Sequence, residues 1–274
     1  MSLLHALLLG LLQGLTEYLP ISSSAHLLLV PGLLGWPALP SDLEKTFAVA
    51  LHCGTFVGVV AYFWTDLGRL LTAWWRSVVE RSLGADPDRR LAWFILVSTV
   101  PAAIAGYAGE NFISRRLGAP ALVAALLIGA GLLLAAAEAV GRKRRNLADL
   151  SLADALLIGL AQCLALAPGV SRSGITITTA LFASVRREAA ARYVFLISVP
   201  IIGGTALYKG LQLLRHGLPP GMAAPFLVGV LGAGVAGYVA IRFLLRYLQT
   251  HTLYPFVFYR IAVGALFLTM ALRR

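Results

Sequence analysis

Two short polar stretches stand out in an otherwise apolar chain, and their residue types suit phosphate chemistry. The first, residues 13–26, reads Gln-Gly-Leu-Thr-Glu-Tyr-Leu-Pro-Ile-Ser-Ser-Ser-Ala-His and holds Gln13, Glu17, Ser22, Ser23, Ser24 and His26. A hydroxyl left unsatisfied in lipid costs about 1–3 kcal/mol, and a charge costs more, so these groups must line an enclosed or watered cavity. Gln13 and Glu17 are four apart and share a helix face. Pro20 breaks that helix, and behind the break three serines can turn hydroxyls and backbone N–H groups toward one point. The second stretch is Pro168-Gly-Val-Ser-Arg-Ser-Gly-Ile-Thr, ending at Thr176. Arg172 among Ser171, Ser173, Gly174 and Thr176 at a helix start makes an anion site matched to phosphate. Glu17 and His26 add an acid–base pair, and the combination fits phosphoryl transfer or hydrolysis. Either His26 attacks directly, or a serine attacks with His26 or Glu17 as base. Singly these residues have plainer readings: Glu17 and Arg172 as a structural ion pair, the serines as a helix cap.

These residues must be positioned by a membrane protein. The chain has 274 residues, 59% hydrophobic and 13% charged, against roughly 25% charged in soluble domains. In a soluble protein the net charge of +11 would suggest nucleic acid. Here the arginines cluster in loops between apolar runs, as orientation signals and contacts to membrane lipids, and no nucleic-acid partner is expected. Cys53 and Cys163 lie in apolar segments as small core residues, without disulfide or metal spacing. No signal peptide is expected. His5, His52, His216 and His251 read as structural or interfacial, and Arg260 as a snorkelling or paired arginine, with a second phosphate contact as the alternative.

The expected elements are an apolar helix over 2–12, a short one over 27–36, and spans over 46–64, 91–108, 120–140, 190–208, 223–243 and 254–272. Neither of the first two reaches the roughly 20 residues a span needs, so with the polar stretch between them they form a re-entrant pair. Residues 67–81 read as an amphipathic interfacial helix carrying Trp74 and Trp75. Loops are expected at Pro37, Pro40, Ser41 and Asp42, at residues 86–90, and at the basic run 142–145. Shifting the sequence by 149 places Gly10 on Gly159, Gln13 on Gln162, Leu15 on Leu164, Ser22 on Ser171 and Ser24 on Ser173. The fold predicted is therefore an all-α polytopic membrane protein built as an inverted-topology repeat. Each unit, residues 1–145 and 146–274, is a re-entrant pair plus three transmembrane helices; three is odd, so the second unit enters from the opposite face. Fourteen Lys/Arg fall on one side and seven on the side of the termini. The richer side is assigned to the cytoplasm, which turns the first re-entrant element outward.

The two motifs, their separation and the chain length resemble undecaprenyl-diphosphate phosphatases, also called bacitracin-resistance proteins. The resemblance covers nearly the whole chain. It implies removal of phosphate from the C55 polyprenyl diphosphate carrier at the outer face of the bacterial inner membrane, with a divalent cation such as Mg²⁺ or Ca²⁺. It implies Glu17, His26, Ser23 and Arg172 as catalytic residues. Ser22, Ser24, Ser171, Ser173, Gly174 and Thr176 would bind substrate, and Glu17 and Gln13 the metal. Many relatives carry Glu where this chain has Gln13. The family often has Thr-Gly before the histidine, where Ser24-Ala25 stands here; Ala25 resists φ > 0, so the turn is expected to differ. The partners are the lipid substrate and membrane lipids, with a homodimer left open. Broken helices in repeats also occur in transporters, so a polyprenyl-phosphate flippase is the alternative.

Overall fold

The computed structural model describes residues 1–36, 40–216, 218 and 220–272. The elements are α1 (Leu3–Tyr18), α2 (Ser23–Leu33), α3 (Ser41–Tyr62), α4 (Trp64–Val79), α5 (Pro87–Arg116), α6 (Pro120–Val140), α7 (Leu152–Leu164), α8 (Arg172–Phe182), α9 (Arg187–His216), α10 (Ala223–Tyr247) and α11 (Tyr254–Leu272), with one 3₁₀ turn at Leu147–Asp149. Among the described residues the only β pairing is a single bridge between Arg145 and Val185. Among the described residues six helices are long and apolar enough to cross a membrane: Leu43–Tyr62, Pro87–Gly109, Pro120–Val140, Arg187–Tyr208, Ala223–Tyr247 and Tyr254–Leu272. These match the six expected spans, and α4 matches the expected amphipathic helix.

As the shared face of Gln13 and Glu17 implied, α1 runs past residue 12 to Tyr18 before the break. Other boundaries differ from the sequence reading: Ser23–His26 open α2, so the polar groups sit on helix ends. Ser41 and Asp42, expected in a loop, begin α3, and Pro87 begins α5 at a position where its missing N–H costs nothing. Pro37 lies outside the described residues. So do Arg273 and Arg274 and the side chains of Arg115, Arg116, Lys209, Arg215 and His216.

Small residues let the helices approach closely. A Cβ on Gly14 of α1 would lie 2.5 Å from the Ala233 carbonyl of α10, and one on Gly159 of α7 would lie 2.8 Å from the Ser98 carbonyl of α5. Without a hydrophobic force between helices in lipid, such backbone proximity is what holds spans together. The packing crosses between halves of the chain: α1 lies on α10, α7 on α5, and both α8 and α11 on α6. Ala25 and Leu29 of α2 pack with Val123, Ala124 and Leu127 of α6 and Phe267 of α11. Each helix–break–helix pair is thus clasped by spans from the other half. This brings the two breaks together in the protein interior.

Candidate active site

Both breaks use the same backbone device. Ser22 has φ 75° and Ser171 φ 72°, a region that L-residues avoid and that costs roughly 1–3 kcal/mol wherever surrounding structure enforces it. The positive φ falls on Ser22, while Ala25 is helical and buried. In each break the serine hydroxyl lies 3.2 Å from that of the serine two residues on, Ser22 to Ser24 and Ser171 to Ser173. Ser171 also accepts from the Gly174 amide at 3.1 Å, capping α8.

Arg260 of α11 joins the breaks. It is fully buried. It donates to the carbonyls of Pro20 in the first break (3.2 Å), Gly169 (3.1 Å) and Val170 (2.9 Å) in the second, and Leu127 of α6 (3.1 Å). Arg260 therefore neither snorkels nor pairs with an acid. Its five fixed donors suit carbonyls that a broken helix leaves without partners. Ser173 adds a second link, donating to the Leu19 carbonyl at 3.0 Å.

Polar and charged side chains collect around Glu17. Its carboxylate is ion-paired with Arg172, accepts from Ser23 at 2.6 Å and from Gln13 Nε2 at 3.0 Å, and faces His52 Nε2 at 3.6 Å. The Gln13–Glu17 face is as the spacing suggested, and the Glu17–Arg172 pair is the ion pair named as their plainer reading. His52 is a residue the sequence reading assigned elsewhere. Its Nδ1 sits 2.8 Å from the Ala48 carbonyl, so the ring is held within α3 and aimed at Glu17. The available signal was a titratable side chain inside an apolar span.

His26 stands in its own pocket. Nδ1 lies 2.7 Å from the Ser22 carbonyl and Nε2 2.8 Å from the Tyr259 hydroxyl, with the two rings stacked at 5.6 Å. A carbonyl only accepts, so Nδ1 carries the proton; in the neutral ring Nε2 then offers its lone pair and Tyr259 donates to it. Tyr259 was not read from sequence as a site residue. Ser22, Ser171, Ser173 and Thr176 are buried, Ser23 and Arg172 half-buried, and Ser24 exposed. Thr176 donates to the Arg172 carbonyl at 2.6 Å and stiffens the first turn of α8.

A divalent cation has a partial donor set here. Among the described residues no group of three His, Cys, Asp or Glu could hold a metal. Yet the Gln13 side-chain oxygen is buried without a partner, beside the Glu17 carboxylate. Two hard oxygens fit an ion that takes its remaining ligands from phosphate and water, as Mg²⁺ commonly does.

Comparison with known proteins finds relatives along nearly the whole chain. The family model described as bacitracin resistance protein BacA matches residues 6–266. A protein of Trichlorobacter lovleyi named undecaprenyl-diphosphatase is 49% identical over 269 residues, covering 96% of this chain and 95% of its own. The undecaprenyl-diphosphatase of Geobacter metallireducens is 49% identical over 267 residues (97% of each), and that of Thermomicrobium roseum 42% over 275 residues (98% of each). With a match of this extent, the chain belongs to the bacitracin resistance protein BacA family.

Proposed function

We propose that this multi-pass membrane protein is an undecaprenyl-diphosphate phosphatase, releasing inorganic phosphate and returning undecaprenyl phosphate to cell-wall synthesis. The observation that carries the reading is the meeting of Glu17 and Arg172, 155 residues apart, between two strained serine turns in the interior of a membrane protein. The flippase alternative is not favoured, since the relatives carry the name of a hydrolase.

In this reading a terminal phosphate takes Arg172 from Glu17, and the guanidinium with the hydroxyls of Ser171 and Ser173 holds its oxygens as charge develops. Glu17, released, serves as a base or as a cation ligand. The P–O bond to the bridging oxygen breaks, undecaprenyl phosphate leaves with that oxygen, and water supplies the new oxygen on phosphorus. If His26 attacks, the new bond forms at Nε2 after Tyr259 gives way, and water then cleaves it. If Ser23 attacks, its proton passes to Glu17, to which it already donates. A cation held by Glu17 and Gln13 would neutralise charge on the diphosphate.

The same proposal includes an inverted repeat with units 1–145 and 146–274, and a site opening to the outer face of the bacterial inner membrane. Equal break geometry and crossed packing support the repeat. The excess of basic residues on the side of 142–145 supports the orientation.

The test is phosphate release from a polyprenyl diphosphate by purified protein, with and without Mg²⁺ or Ca²⁺, beside Arg172→Lys. Lys keeps the charge but loses the two-pronged contact, so turnover is expected to fall at least tenfold. Binding of the lipid without phosphate release by the unaltered protein would overturn the proposal.

A further inference from the structure

We propose that the C-terminal end of α10 is a binding site for the phosphate headgroup of an anionic phospholipid, separate from the active site. A cavity of about 450 Å³ there is lined by Val239, Arg242, Phe243, Arg246, Tyr247, Thr250 and His251. Arg242 and Arg246 are one turn apart, exposed, and without a hydrogen-bond or carboxylate partner among the described residues. Three other arginines are instead held by carboxylates. Arg145 pairs with Asp154, Arg187 with Glu138, and Arg192 with Asp66. Glu188 accepts from Gln249 at 3.4 Å and does not line the cavity.

The rest of the cavity is ordered. Tyr247 stacks between Phe243 (5.5 Å) and His251 (4.5 Å), and Thr250 Oγ1 lies 2.8 Å from His251 Nδ1. Two free guanidiniums line the cavity as phosphate donors, and the hydrogen-bonded Thr250–His251 pair offers one further donor, beside an aromatic cluster of the kind found at headgroup level. The occupant is a lipid and not a free anion because of what continues from it. Leu227, Leu231, Val235, Val239 and Phe243 recur every four residues along α10, and each is at least half exposed. That ridge runs about 24 Å at 1.5 Å per residue, long enough for an acyl chain, and leads directly to the arginine pair.

The experiment places the full-length protein in vesicles of phosphatidylcholine with a minor share of phosphatidylglycerol, then measures the lipid retained after detergent extraction. Phosphatidylglycerol should be enriched roughly tenfold or more, the scale set by two juxtamembrane arginines. The enrichment should vanish in Arg242→Gln/Arg246→Gln, with phosphatase turnover unchanged, and persist in Arg142→Gln/Arg144→Gln on the exposed basic loop. An equal loss in both double variants would reduce the effect to general surface charge and overturn the proposal. So would displacement of the retained lipid by millimolar glycerol phosphate or inorganic phosphate, which would mark a free-anion site.

Discussion

The two helix–break–helix pairs have nearly the same backbone and different contents. α2 and α8 are both 11 residues long, and both are preceded by a serine at positive φ with its hydroxyl against the second serine on. Gln13 and Gln162 are both buried, each with an unpartnered side-chain oxygen. The contents then diverge. At the shift of 149, Glu17 corresponds to Leu166, Ser23 to Arg172 and His26 to Ile175. Gln13 donates to Glu17, whereas Gln162 donates to the Ser98 carbonyl at 2.7 Å. One pair thus carries a carboxylate, an imidazole and a hydroxyl, and the other an arginine and a structural amide. On the proposed reading the first set would serve the reaction and the second the anion, which neither pair could do alone.

The largest effect should follow from removing the carboxylate, which has no counterpart in the second pair. Glu17→Gln keeps shape and removes charge, and turnover should fall about 10²–10⁴-fold, the usual worth of a general acid–base group. The melting temperature should change little, because the Ser23 and Gln13 contacts have neutral equivalents. Wild-type turnover in this variant would remove Glu17 from the chemistry and erase the asymmetry. Next is Arg260, which belongs to both breaks. Arg260→Met keeps volume but strands carbonyls of Pro20, Leu127, Gly169 and Val170. A net loss of about 3 kcal/mol is expected, since each stranded group costs about 1–3 kcal/mol and the relief of no longer burying a charge offsets part of it. Thermal unfolding and turnover should fall together, unlike Arg172→Lys, where turnover alone falls.

The fold was legible because its signals are local. Apolar run lengths gave six spans, Trp74 and Trp75 marked α4, and the recurrence of Gln, Ser and Ser at a shift of 149 exposed the paired breaks. The Glu17–Arg172 cluster was legible because charged groups in apolar sequence have few places to go. His52 and Tyr259 were not, since their meaning depends on which helix faces which. His52 reaches Glu17 only because α3 lies beside α1, and Tyr259 reaches His26 only because α2 and α11 both pack on α6. Arg260 was misread for the same reason: no spacing rule says that a lone arginine in a span will meet carbonyls from two distant turns.

The paired glutamines give an intermediate test. Gln13→Met should lower turnover about tenfold by loosening Glu17, while leaving stability near wild type. Gln162→Met should lower stability by about 1–2 kcal/mol through the stranded Ser98 carbonyl, with turnover per folded molecule unchanged. Activity assays beside thermal melts decide it, and identical behaviour of the two variants would break the division of labour between the pairs.

The smallest effect should come from the outer end of the second pair. Asp154 caps α7, accepting from the Ser151 amide at 2.7 Å and hydroxyl at 2.6 Å, and it receives Arg145 at 3.1 and 2.5 Å. Arg145 also donates to the Ala183 carbonyl at 2.9 Å, so the contact ties the start of α7 to the end of α8. Among the described residues no such ion pair holds the start of α1, whose cap is the Ser2 hydroxyl, accepting from the His5 amide at 3.2 Å. Burial would raise the Asp154 carboxyl, but hydrogen bonds from Arg145 and Ser151 outweigh it and hold it below the ordinary value of 3.8. A depressed carboxyl stabilises the fold above its unfolded value, and the contribution is lost as pH falls through the folded one. Asp154→Asn should therefore lower the melting temperature by about 2–4 °C at neutral pH, the scale of roughly 1 kcal/mol in a chain of this size. The value stays modest because Arg145 is partly exposed and screened. The gap to wild type should hold from pH 8 down to about pH 5 and close only below pH 3.8. Turnover per folded molecule should be unchanged, since the clamp lies at the far end of α7 from Arg172. If turnover fell in step with stability, the outer clamp would be setting the phosphate grip, and the second pair would be less rigid a wall than its hydrogen bonds imply.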